Sequence, residues 1–203
     1  MDETKISLSE QEMQMVANAE LILTKNRIIE KAGLLLSGIQ HSYHQILVNT
    51  KTGLPAEILN TNAKISRGEN YEGLPYLILD YPRYFTKPDI FAIRTMFWWG
   101  HFFSITLHLA GKYKKSLKPQ IDKSYNLLKE AEFQVSTSED EWVHHFEGNN
   151  YQPLLTTSEQ TFNQITMEGS FLKLAKKYPL SDWPVLATKL EKDFITLTGV
   201  CTR

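Results

Sequence analysis

From residue 13 onward apolar side chains recur every three or four positions: Met13, Ala17, Leu21, Ile28, Ala32, Leu35, Ile39, Tyr43 and Ile46. That is the spacing of one helix face. A second row, Met15, Ile22, Ile29, Leu36 and Tyr43, repeats every seven residues and widens the face. Ser9 can cap the start, Glu12 can close a capping box, and Leu8 can staple onto Met13. A single helix of this length is unusual in a globular domain, so two are expected. The break is placed at residues 24–27 or at Gly33 and Gly38, and Gly53 and Pro55 end the region.

Between residues 63 and 146 the alphabet turns aromatic and β-branched and the period becomes two. Strands are expected at residues 63–66, 76–81, 90–98, 102–109, 133–137 and 142–146. Residues 67–75, with two glycines, read as a loop. Residues 90–109 read as a hairpin about Trp99-Gly100-His101. A three-residue loop sets Phe91, Ile93, Thr95 and Phe97 beside Phe103, Ile105, Leu107 and Leu109 on one apolar face. The other face then carries Arg94, Met96, Trp98, Phe102, Ser104, Thr106 and His108. A two-residue loop would set Arg94 among Ile105 and Leu107, an unpaired charge against hydrocarbon. By the same logic Val135 pairs with Val143 around an acidic tip.

Residues 112–132 read as a helix with Ile121, Tyr125, Leu128 and Ala131 inward and Pro119 in its first turn. Residues 158–177 read as a helix with Phe162, Ile165, Leu172 and Ala175 inward and Gly169 a weak point. A last helix is expected from a Ser181 cap, with Leu180 stapled to Val185, a stripe of Trp183, Leu186, Leu190, Phe194 and Leu197, and a stop at Gly199. Strands cluster rather than alternate with helices. The expectation is therefore a single α+β domain, a mainly antiparallel sheet of about five or six strands with N- and C-terminal helices packed on it.

Composition narrows the function classes. The chain has 203 residues, 42% of them hydrophobic, and its 22 Lys and Arg against 23 Asp and Glu give a net charge of −1. No global field favours nucleic acid or an anionic membrane. No secretory signal and no spanning segment are read, and the one cysteine, Cys201, has no partner thiol. A cytoplasmic protein is expected. Lys112, Lys114, Lys115 and Lys118 form the only basic cluster. A solvated helix face accounts for it, so nucleic acid is not an expected partner.

The run Arg67-Gly68, Tyr71, Leu74-Pro75, followed by strands and a Lys-rich helix after two N-terminal helices, resembles the YktB-like family of uncharacterised bacterial proteins. The resemblance covers residues 28–128 and implies an α+β fold. It assigns no activity, and no functional residue carries over.

No nucleophile-elbow, Walker or zincin motif occurs, so no catalytic residue, cofactor or metal is assigned. His41 and His44 have ligand-like spacing, but the helical angle separates them and nothing completes a site. The best constellation is Arg94, Ser104, Thr106 and His108 on the second hairpin face, with Asp80 and Arg83 beside it. Ser104 and His108 are four residues apart, about 13 Å, too far for a nucleophile and base. An arginine opposite Thr106, with hydroxyls and an imidazole that charges near pH 6.5, suits a small anion. The competing use of Arg94 is an ion pair with a carboxylate such as Asp80. The functional expectation is thus a small anionic ligand on this face. The alternative is a non-catalytic interaction or homodimeric structural protein, using an exposed Trp99 tip or the helical surfaces.

Overall fold

In the computed structural model, residues 6–50 and 53–202 are described. Three long strands, buried on both faces over most of their length, make the heart of the fold: β2 (Leu74–Thr86), β3 (Asp89–Trp98) and β4 (Phe102–Ala110), preceded by β1 (Lys64–Tyr71). The sheet is completed by β5 (Gln134–Ser136), β6 (Tyr151–Pro153) and β7 (Phe171–Pro179). All pairings are antiparallel, in the order β1-β2-β3-β4-β7-β5-β6, giving seven strands, one more than expected. The helices are α1 (Glu10–Ala17), α2 (Ala19–Asn49), α3 (Ala56–Leu59), α4 (Gly111–Lys123), α5 (Tyr125–Glu130), α6 (Glu159–Met167) and α7 (Leu186–Val200). The fold class is α+β.

The β3–β4 register is the one demanded by segregating apolar from polar residues. Trp98 pairs with Phe102, Thr95 with Ile105 and Arg94 with Thr106, and Gly100 takes the left-handed conformation (φ +76°) that the tight loop needs. Phe103, Ile105 and Leu107 are fully buried. Thr95, the polar exception on that face, shares a 3.1 Å hydrogen bond with the Tyr43 hydroxyl. Tyr43 in turn stacks on Phe194, centroids 3.8 Å apart, so α2 and α7 are tied to the sheet at one point. Among the described residues one core cluster draws on α2, α4, α5, α6, α7 and the sheet.

Several expectations are corrected. No break occurs at residues 24–27, Gly33 or Gly38; α2 is continuous over 31 residues, and the break falls at Asn18. Two helical glycines cost roughly 1 kcal/mol each. Burial of Ile29, Ala32, Leu36, Ile39, Tyr43 and Leu47 outweighs that. The capping box of Ser9 and Glu12 is present, but Leu8 and Met13 remain half-exposed and form no staple. The 67–75 segment is mostly strand, turning at Glu72 and Gly73, both with positive φ, as a tight hairpin requires.

Of the helix expected at 158–177 only the first half forms, as α6, with Ser158 capping it and Phe162 buried. Gly169 adopts φ +73° and ends α6's exit, and residues 171–179 become β7, seated between β4 and β5. Helix 112–132 is two pieces divided at Ser124, and Pro119 sits inside α4 rather than at its first turn. The last helix begins at Leu186 after a 3-10 segment, Leu180–Val185, without a Ser181 side-chain cap. Its stripe is as expected, with Leu186, Leu190, Phe194 and Leu197 fully buried.

Phe194→Ala removes the ring that Tyr43 stacks on. The expected cost is about 3–5 kcal/mol, measured as a shift of the urea midpoint at unchanged m-value.

Candidate functional site

The sheet's second face is where the polar residues collect, and a segment crosses it. Residues 142–146, expected as a strand paired through Val143 to Val135, are instead part of an irregular strap, residues 137–150. Val135 pairs with Gln152 of β6 and Leu174 of β7. The strap is held by side chains rather than by a ladder. The Tyr71 hydroxyl accepts from the backbone N–H groups of His144 and His145 at 2.7 and 3.1 Å. Lys173 on β7 donates to the carbonyls of Glu141, at 3.1 Å, and Val143. His108 Nε2 donates to Glu141 Oε2 at 3.2 Å.

Arg94 is the hub. Its Nε and Nη2 donate to Asp80 Oδ1 and Oδ2 at 2.7 and 3.0 Å, a bidentate fork, and Nη1 donates to His144 Nε2 at 2.9 Å. Asp80 faces Arg94 directly across β2 and β3. The guanidinium also lies 5.9 Å from the centre of the Trp142 ring. Three of its five N–H donors are therefore used within the chain, and the ion pair with Asp80, expected as the competing use of Arg94, is present. Donation to His144 Nε2 also places that ring's own proton on Nδ1.

The structure separates the six expected ligand residues into two groups. Ser104, Thr106 and His108 are buried beneath the strap. Asp80, Arg83 and Arg94 line an open cleft of about 470 Å³ beside it. His108 does not titrate near 6.5 in this setting. Burial, then the charges of Lys173 and Arg94, hold its pKa down at about 3. His144 is likewise held well below its usual range by burial and Arg94. Lys173 is pushed down to about 7, chiefly by burial and then by Arg94.

The cleft is walled by β1, β2, β3, the β2–β3 turn and the free end of the strap. Lys64, Arg83, Lys87 and Arg94 supply four cationic groups around a single carboxylate, Asp80, with Phe85 and Trp142 as aromatic walls. The two rings lie 6.4 Å apart and tilted by 33°. Arg83 spends only Nε, on the Asn62 carbonyl at 2.9 Å. Lys64 and Lys87 have no ion-pair partner among the described residues. Sequence reading missed Lys64, Lys87, Phe85 and Trp142. Lys64 was recoverable in principle, since a β1–β2 hairpin turning at Glu72-Gly73 sets it opposite Asp80.

The other candidates resolve as structure. Trp99 is half-buried with its ring edge-on to Phe97, so the hairpin tip is not a bare aromatic surface. In the basic cluster, Lys112 pairs with Glu57 and Lys118 with Asp122. Lys114 donates to the carbonyls of Glu168 and Gly169. His41 is exposed, and His44 shares a 2.9 Å hydrogen bond with the Tyr81 hydroxyl. Cys201 is buried, which pushes its thiol up to about 12. No described helix is long and apolar enough to cross a membrane.

Comparisons with family models, curated proteins and solved structures give no match. The functional argument therefore rests on the geometry.

Two outcomes follow from the strap. The folded state holds His108 neutral while the unfolded chain takes up a proton below pH 6.5. Stability is then fully present above about 6.5 and falls as pH drops toward about 3. The loss from this ring alone is about 1–2 kcal/mol by pH 5, read from urea midpoints across pH. His108→Gln, which keeps a donor to Glu141 but cannot charge, should flatten the profile. Separately, Arg94→Met leaves Asp80 buried without its partner and should cost about 3–5 kcal/mol. Equilibrium denaturation of that variant at pH 7 measures it.

Proposed function

We propose that the cleft beside the strap binds a small anionic molecule with a flat apolar body. The observation that carries this reading is the lining itself: four cationic groups around one carboxylate, beside two aromatic rings, in a concavity of about 470 Å³. Ligand sites of this size commonly join apolar walls to a few placed polar groups.

Roles divide by what each group has left to offer. Arg94 and Asp80 satisfy one another and act as a fixed floor. Lys64 and Lys87 supply uncommitted ammonium groups, and Arg83 keeps the end of its guanidinium, a planar donor set suited to carboxylate or phosphate. Phe85 and Trp142, packed against each other, offer the apolar portion their exposed surface. Ser66 and Thr86 add hydroxyls at the rim. The one cysteine, buried as a free thiol, suits a reducing cytoplasmic setting.

The test is calorimetric titration with benzoate, phenyl phosphate and inorganic phosphate, backed by thermal shifts. The aryl anions should bind more tightly than inorganic phosphate, and added salt should weaken all three. Lys64→Ala combined with Lys87→Ala should weaken binding at least tenfold without lowering the melting temperature. Trp142→Ala should remove the preference for the aryl anions. Failure of every anion to bind the wild type overturns the reading, as does unchanged affinity in the double lysine variant.

A further inference from the structure

Beyond the cleft, the N-terminal arm carries apolar surface that none of the described residues covers. None of the eight residues of α1 is buried, and the first buried residue of α2 is Ile29. Met13, Met15, Val16, Leu21, Ile22 and Leu23 are each about half-exposed or more, from 47% to 68%. An eight-residue helix without tertiary burial is marginal in water. The arm is also the continuation of a core stripe. On the seven-residue row of α2, Ile29, Leu36 and Tyr43 are buried in the domain, while Ile22 stands beyond its edge and Met15 follows on α1 across the break at Asn18.

The charges say what could cover it. From residue 10 to residue 20 there are three acids, Glu10, Glu12 and Glu20, and no base; from residue 24 to residue 31 there are three bases, Lys25, Arg27 and Lys31, and one acid, Glu30. Such an arm is complementary to itself when turned end for end. The acidic half of one copy then meets the basic half of the other, and the apolar rows about Ile22 face each other. The existing partners do not prevent this. Glu20–Arg27 is more than half exposed on both sides, and Lys25–Glu69 joins a mostly buried lysine to a half-exposed glutamate; such surface pairs contribute little and exchange readily. The acidic tip disfavours an anionic bilayer as the covering surface.

We infer that a second copy of this chain covers the arm, through antiparallel pairing of α1 and the first part of α2 about a two-fold axis near Ile22. Such a contact is isologous and closes at two copies.

Sedimentation velocity on the full chain between about 1 and 100 μM provides the test, with vesicles of neutral and of anionic phospholipid as a second arm. The expected result is a reversible dimer weakened by salt. Ile22→Asp should weaken it at least tenfold while leaving the far-ultraviolet circular dichroism and the melting temperature of the monomer unchanged. Charge reversal separates specific pairing from general stickiness. The triple reversal Glu10→Lys, Glu12→Lys and Glu20→Lys should not self-associate. It should instead pair with a variant carrying Lys25→Glu, Arg27→Glu and Lys31→Glu. A monomer at 100 μM, a dimer indifferent to Ile22→Asp, failure of the two reversed variants to pair, or vesicle binding in place of dimerisation each overturns the inference. Because these residues lie outside the cleft, the outcome is independent of anion binding.

Discussion

Two cations stand on the same face of one sheet, and neither can be left against hydrocarbon. Arg94 on β3 and Lys173 on β7 are flanked by Met96, Trp98, Phe102 and Phe171 on that face, so every donor they carry must find an acceptor. Asp80 answers two of the guanidinium's donors. His144 and the carbonyls of Glu141 and Val143 answer the rest of those described, and all three belong to the strap. The strap's course is set by these bonds. A segment with no ladder of its own lies across a sheet because a buried guanidinium and a buried lysine amine require its lone pairs.

That arrangement also decides where a ligand can enter. Beyond Arg94 the face formed by β1 and β2 is uncovered, and Trp142 marks the boundary. Covered and open halves share one residue, Arg94. A ligand bound in the cleft as proposed would rest against a guanidinium whose orientation is fixed from three sides, by Asp80, His144 and the Trp142 ring. Rigid support of this kind lowers the ordering cost of binding. On the proposed reading Arg94 would serve the fold and the site together, whereas Lys64 and Lys87 would serve the site alone.

How much of this is visible in the sequence depends on the range of the interaction. The β3–β4 hairpin is legible because side-chain alternation is strict, and one wrong step would bury Arg94 among Ile105 and Leu107. The α7 stripe is legible for the same reason at helical period. The segment Leu172-Lys173-Leu174-Ala175 is not, since Leu172 and Ala175 also satisfy a helix. Its strand state is decided by β4 and β5, remote in sequence, and by the reversal at Gly169. The Trp142-Val143-His144-His145-Phe146 run alternates like a strand, yet its polar backbone is satisfied by Tyr71 and Lys173, partners that no local pattern reveals. Pairing of Arg94 with Asp80 was among the readings of the sequence. That it would leave Arg83, Lys64 and Lys87 around a cleft depends on the bulge between Asp80 and Arg83, which shifts the register of β2.

The insertion of β7 between β4 and β5 has a consequence in time. The chain emerges in order, so β1 through β4 can zip together while the strand that will seal the outer edge of β4 has not yet been made. Sixty residues separate the end of β4 from the start of β7. Until then a nine-residue strand whose every residue is buried in the native state presents an unsatisfied row of amides and carbonyls, the template on which nascent chains aggregate. Closure of the sheet is thereby deferred until β7 has been made. The polypeptide depends over that interval on its own early helices, or on cellular factors that shield nascent chains, to keep that edge from pairing with a neighbour.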